Sequence, residues 1–136
     1  MVKKTITYND FDGRTRTEDF YFNLTKAECL EMEASVNGGL TNMLQKLIDT
    51  QDHATIVQIV KDIIRRSYGE KSLDGKYLIK DEELFRKFSY TRAYSKLYME
   101  LATDAKAGAD FMNAVVDTDD GIVPASVTPI DGTVAN

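Results

Sequence analysis

Few side chains in this sequence could do chemistry, and their spacing argues against it. The chain holds one histidine, His53, and one cysteine, Cys29. Together they cannot complete a Cys/His zinc site, and a lone cysteine excludes an intrachain disulfide. Cys29 falls inside a predicted helix beside Leu30, the usual place of a small buried hydrophobe. His53 stands near a helix start, where it helps to cap or faces solvent, and neither residue has a nucleophile–base arrangement around it. The carboxylate pairs Glu82/Glu83 and Asp119/Asp120 are adjacent, so on a helix they diverge and read as a solvated face. Asp117-Thr118-Asp119-Asp120-Gly121 is faintly like a calcium loop. Its glycine comes one place early, however, and the closing position is Thr128 instead of Glu. Tyr68-Gly69-Glu70-Lys71-Ser72 ends like a phosphate-binding loop but lacks the first glycine, has Glu between Gly and Lys, and follows a helix. No catalytic residue, metal or cofactor is expected.

Lys61, Arg65 and Arg66 share one predicted helix, and Lys71, Lys76, Lys80, Arg86 and Lys87 follow. Basic residues ringing an apolar stripe explain them better than nucleic-acid contact does. The net charge of -5, from 17 Lys+Arg against 22 Asp+Glu, points the same way. Aromatic residues are the more informative surplus: seven Tyr and six Phe with no Trp. Tyr90, Tyr94 and Tyr98 fall at i, i+4, i+8 and predict a ridge on one helix. Core packing is the plainer reading of that ridge. A protein-binding face is the functional one, because Tyr offers wide contact at low entropic cost. Met32, Met43, Met99 and Met112 add adaptable apolar surface.

The elements that must position these residues follow from pattern. With 136 residues, 43% of them hydrophobic and 29% charged, the chain is expected to be one soluble, intracellular domain. No apolar run approaches the ~20 residues of a membrane span, and the N-terminus has no signal-peptide character. Both prolines and four of the aspartates lie in residues 117–136, which contain no basic residue. That stretch is predicted to be a flexible, disordered acidic tail, and residues 1–116 the folded domain.

Lys3 to Tyr8 and Arg16 to Leu24 predict a β-hairpin turning at Asp12-Gly13, with Phe20, Phe22 and Leu24 on one face. Beyond it the chain reads as helical to residue 116. Thr25 and Glu28 form a capping box, and that helix is expected to stop at Asn37-Gly38-Gly39. Leu40, Met43, Leu44, Leu47 and Ile48 make the next stripe, with a break at Asp49 to Asp52. Ile56, Ile59, Val60, Ile63 and Ile64 make another, ending at Tyr68-Gly69. Glu70 to Lys80 is expected to be a loop with Tyr77-Leu78-Ile79 as a short extended piece. Asp81 is a predicted N-cap for a short helix carrying Leu84, Phe85 and Phe88, and Asp104 for a last helix with Ala105, Ala109, Met112, Val115 and Val116 inward. The fold class is therefore mainly α: a small bundle of five or six helices with an N-terminal β-hairpin and a flexible tail.

Three segments carry a resemblance: TITYNDFDGRTRTEDFYFNLTKAE (residues 5–28), YGEKSLDGKYLIK (68–80) and AYSKLYMELATDA (93–105). Over residues 4–116 the chain resembles the tail assembly chaperones of long-tailed, siphovirus-type phages and prophages of Gram-positive bacteria. These are encoded between the tail tube and tape measure proteins. The acidic tail is not part of the resemblance. Membership would imply a protein that binds the tape measure protein, keeps it soluble in the host cytoplasm, and helps recruit the tail tube subunits that displace it. It would require no active site, nucleic acid or membrane. In this family a programmed frameshift often makes a longer form, and residues 117–136 would then be the stretch read in the original frame. The competing expectation is a virion structural protein of the minor tail, neck or head-decoration class. Phe20, Phe22, Tyr90, Tyr94 and Tyr98 are the expected partner-binding residues, with self-association through the ribbon.

Overall fold

The computed structural model describes residues 1–35 and 39–117. The expected helix stop at Asn37-Gly38 and the acidic tail beyond Asp117 lie outside them.

Two strands open the chain: β1 (Val2–Asn9) and β2 (Thr15–Phe22) pair antiparallel in register from Val2↔Phe22 to Asn9↔Thr15. The reversal is built on Asp10. Its Oδ1 accepts from the amides of Asp12 and Arg14, each at 2.9 Å, and its Oδ2 accepts from Arg16 Nε at 2.8 Å. Gly13, at φ +84°, supplies the left-handed step that a side chain would resist. The even-numbered residues of β1 and Phe20 and Phe22 of β2 turn toward the helices; the Thr-rich opposite face is exposed.

Three helices follow: α1 (Lys26–Ser35), α2 (Gly39–Asp49) and α3 (His53–Ser67). The Thr25/Glu28 box closes α1, with Thr25 N–H donating to Glu28 at 2.9 Å and Glu28 N–H to Thr25 Oγ1 at 3.2 Å. Asp52 caps α3, and Arg65 and Arg66 stand in its last turn, where cations suit the helix dipole.

Here the structure departs from the sequence expectation. Helix α3 does end at Tyr68, its C-cap, but the same residue starts a strand, β3 (Tyr68–Lys71), where a loop was expected from Glu70. It pairs with the end of β2 (Tyr21↔Gly69, Phe22↔Tyr68), and β4 (Leu78–Ile79) adds to it. The hairpin is thus half of a four-stranded sheet of order β1-β2-β3-β4. The reason is long-range. The far edge of β2 needs partners, and Tyr68 placed there stacks on Phe88 with ring centroids 4.3 Å apart.

The remaining helices are α4 (Glu82–Ser89), α5 (Arg92–Thr103) and α6 (Ala105–Val115), capped by Asp81, Thr91 and Asp104. Tyr90 is therefore not on the helix of Tyr94 and Tyr98. Thr91 Oγ1 accepts from Tyr94 N–H and donates to Phe88 O, which breaks the chain into two helices at Tyr90. Helix α6 lies close against α5 and α2 because Gly108 has no side chain; a Cβ there would meet Leu101 O and Leu47 Cδ2, each at 3.0 Å. After α6, Val115 O accepts from Leu24 N–H and Asp117 N–H donates to Leu24 O, both at 2.8 Å, so the end of the described chain runs parallel to Leu24.

The core gathers Phe22, Leu24, Leu47, Ile63, Ile64, Leu97, Leu101, Met112 and Val115, each under 2% or about 2% exposed. Three expected core positions differ: Ile48 is 54% exposed at the outer edge of its stripe, Ala105 is exposed as the first residue of α6, and Cys29 is only half-buried. One polar knot ties the elements together. Lys80 Nζ reaches both carboxylate oxygens of Glu28, at 2.8 and 2.7 Å, and also donates to Arg66 O and Asn23 O. Burial opposes the Glu28 charge, but Lys80 and the Thr25 amide outweigh it and hold the carboxyl below its ordinary value.

Candidate functional site

The five expected partner-binding residues fall into three environments. Phe22 is sealed in the core, its ring against Tyr68, Phe88 and Phe111. Helices of the same chain therefore cover the ribbon face, which leaves Phe22 as scaffold. Phe20, Tyr94 and Tyr98 are half-buried and joined through Phe88 into one row. Centroids lie 5.0 Å apart for Phe20–Phe88, 5.5 Å for Phe88–Tyr94 and 5.6 Å for Tyr94–Tyr98. This joins hairpin and helix by packing instead of by joint exposure. Tyr98 OH donates to Val57 O at 3.4 Å, tying α5 to α3. Burial pushes the Tyr94 and Tyr98 hydroxyls above their ordinary range.

Tyr90 is the exposed member, at 69%. Two residues on, Arg92 lies 4.5 Å from the ring centroid of Phe11 and donates to Asp10 O at 3.5 Å. Phe11 itself, in the hairpin turn, is 72% exposed. The hairpin tip and the α4–α5 corner thus meet in an open aromatic–cation patch. Sequence reading missed Phe11 and Arg92. The available signal was a phenylalanine set among the turn residues Asn9-Asp10-Phe11-Asp12-Gly13, where nothing local could cover it.

The chemistry of the patch is adhesive. It presents flat rings and a guanidinium, the groups enriched where proteins bind proteins. Among the described residues no group of three or more His, Cys, Asp or Glu could hold a metal. His53 is the exposed first residue of α3, and Cys29 lies on α1. Burial first, then the Glu28 charge, pushes the Cys29 thiol up, away from the reactive thiolate. No described helix is long and apolar enough to cross a membrane.

No curated protein and no solved structure matches the chain. A family model does, and it runs from residue 1 to residue 126, through the whole described body and into the acidic stretch that the sequence resemblance had left out. The chain belongs to the phage tail assembly chaperone family.

Proposed function

We propose that this chain binds the tape measure protein during tail assembly, keeps it soluble in the bacterial cytoplasm, and helps recruit the tail tube subunits that replace it. The phage would be a siphovirus or prophage of a Gram-positive host. The family match over the full folded body carries this reading, and that family is not an enzyme family. The surface assigned to the partner is the Phe11/Arg92/Tyr90 corner with the half-exposed rims of Phe20, Tyr94 and Tyr98. Phe22 stiffens it from behind. A long helical target with repeating apolar positions would meet flat rings there, a contact tolerant of imperfect sequence. The body itself needs no catalysis, cofactor or nucleic acid for such work.

Co-expression with the downstream tail genes tests it. The chain should co-purify with the tape measure protein and be absent from mature particles by mass spectrometry. The double variant Phe11→Ser, Tyr90→Ser should lose about tenfold in affinity, equivalent to ~1.4 kcal/mol, with unchanged circular dichroism. Unaltered binding by that variant moves the surface elsewhere. Many copies in the virion would assign the structural role instead.

A further inference from the structure

Helices α2 and α3 leave between them a groove of about 600 Å³. Its floor is apolar, made by Met43, Ala54 and Ile59, and its rims carry Lys46 on α2 and Lys61 and Arg65 on α3. Arg65 is paired with Glu82, and Asp62 on the same rim with Arg66. Among the described residues Lys46 and Lys61 form no ion pair. Helix α1 has the opposite character. It buries Met32, yet Ala27, Leu30 and Ala34 are exposed on its outer side, Leu30 by 71%. At about 100° per residue these three share one narrow sector, with Glu31 on one flank and Glu33 on the other. Neither carboxylate forms an ion pair among the described residues. The groove has an apolar floor between unpaired cations; α1 has an apolar stripe between unpaired anions.

We propose that the α2–α3 groove is the docking site for helix α1 of a second copy of this chain, with Leu30 as the anchor over Met43 and Ile59. Glu31 and Glu33 of the incoming helix then meet the two rims, where Lys46 and Lys61 gain the partners they lack. The lengths agree: Ala27 to Ala34 covers ~10 Å of α1, and Ala54 to Arg65 offers ~16 Å of α3. The helix cannot come from the same chain. Asn42, Met43 and Lys46 line this groove, whereas Leu40, Thr41 and Leu44 turn to the other side of α2, toward α1. Helix α1 is also pinned where it is by buried Met32 and by the Glu28–Lys80 pair. A foreign partner would account for one of the two surfaces, and a second copy accounts for both. Because the surfaces are unlike, a pair of chains leaves one groove and one α1 stripe free. Association is therefore head-to-tail, and it continues into a ring or an open helix instead of stopping at a two-fold dimer. It needs no tail protein to be present.

Sedimentation velocity on the purified full chain tests it. One helix in a groove is a small interface, so Kd should be on the order of 10–100 μM, with species beyond a dimer as concentration rises. Two full-length variants break unlike halves: Leu30→Gln, Ala34→Gln on α1, and Lys46→Glu, Lys61→Glu on the rims. All four positions are exposed, so circular dichroism should match wild type. Each variant alone should associate at least about tenfold more weakly than wild type. Mixed, they should form a one-to-one pair that grows no further, since one brings an intact groove and the other an intact α1. Raising salt from about 0.1 to about 1 M cuts the screening length from ~10 to ~3 Å and should weaken wild-type assembly about tenfold. A wild type still monomeric at about 1 mM overturns the proposal. So does a variant that assembles as wild type does, a mixture no more associated than its components, or assembly indifferent to salt.

Discussion

Around Phe88 the molecule is packed ring on ring. Tyr68 stacks on it, Phe20, Phe22 and Tyr94 surround it, and Phe85 and Phe111 extend the cluster from α4 and α6. Around α2 the apolar side chains are aliphatic and thioether groups, and they leave space on both sides. One groove of about 600 Å³ opens against α3, and the other of about 530 Å³ opens against α1 and α6. Both regions use amphipathic elements of ordinary composition. The difference lies in how far apart in sequence the partners are. The ring cluster draws on the hairpin, the α3–β3 junction, α4 and α5, so its closure fixes the whole topology. The α2 region is assembled mainly from the consecutive helices α1, α2 and α3, with α6 as its distant partner, and its grooves are open among the described residues. A tail chaperone has use for both: a body that does not yield, and a surface that is not yet committed.

The largest expected effect tests the closed side. Phe22→Ala removes a fully buried ring contacted by three others, and should destabilise the domain by ~3–5 kcal/mol. Urea unfolding followed by circular dichroism measures it. A loss below ~1 kcal/mol would mean that the cluster is looser than its geometry.

Next comes the knot that bridges the two regions. Lys80→Met strips Glu28, Asn23 O and Arg66 O of their shared donor and should be destabilising by about 2 kcal/mol. The pH dependence follows from the Glu28 carboxyl, which Lys80 holds below its ordinary value against the pull of burial. A carboxyl depressed in the folded state contributes stability that is present above its unfolded pKa and is lost as pH falls through the folded one. Wild type should therefore weaken on acidification below about pH 4.5, and Lys80→Met should weaken less over the same window. Parallel acid profiles for the two proteins would show that the ammonium does not set the Glu28 charge.

At alkaline pH the ring cluster reports on itself. Burial first, then Glu70 and Glu18, pushes Tyr68 up to about 12, and burial with the Glu18 hydrogen bond does the same for Tyr8. Unfolded tyrosine ionises near pH 10, so between about pH 10 and 12 the unfolded chain sheds protons that the folded one keeps. Stability is complete below that window and falls within it. Ultraviolet titration should show these two phenols ionising last, and Tyr68→Phe should flatten the loss.

What sequence could show divides along the same line. The capping box at Thr25/Glu28, the caps Asp81 and Asp104, the break before His53 and the hairpin turning near Gly13 were legible because each is settled within about four residues. Strand β3 was not, since Tyr68-Gly69-Glu70-Lys71 has no strand pattern of its own and is held by Phe22 and Phe88 far away in sequence. The separation of the short helix of Leu84, Phe85 and Phe88 from the next was legible, but Tyr90 fell to the wrong side of it because its spacing to Tyr94 and Tyr98 is helical. Lys80 read as one more surface cation because its three acceptors come from residues 23, 28 and 66. At the candidate site, a partner-binding surface holding Phe20, Tyr94 and Tyr98 was expected. Its exposed extension through Phe11 and Arg92 was not, because only the tertiary fold brings residue 11 beside residue 92.

The smallest expected effect tests the open side, on α2. Leu47 and Ile48 are neighbours in one apolar stripe, yet Leu47 is 2% exposed and Ile48 is 54% exposed. Helical geometry turns successive residues about 100° apart, so a stripe wide enough to include both must leave one at its margin. Ile48→Gln keeps helix propensity and removes only side-chain surface that water already reaches, so stability should change by less than ~0.5 kcal/mol. Thermal melts of the variant and wild type should overlay. A shift of several degrees would mean that Ile48 is covered in solution by something beyond the described residues. The α2 side would then be closed like the ring cluster, and the contrast between the two regions would fail at the residue where it is sharpest.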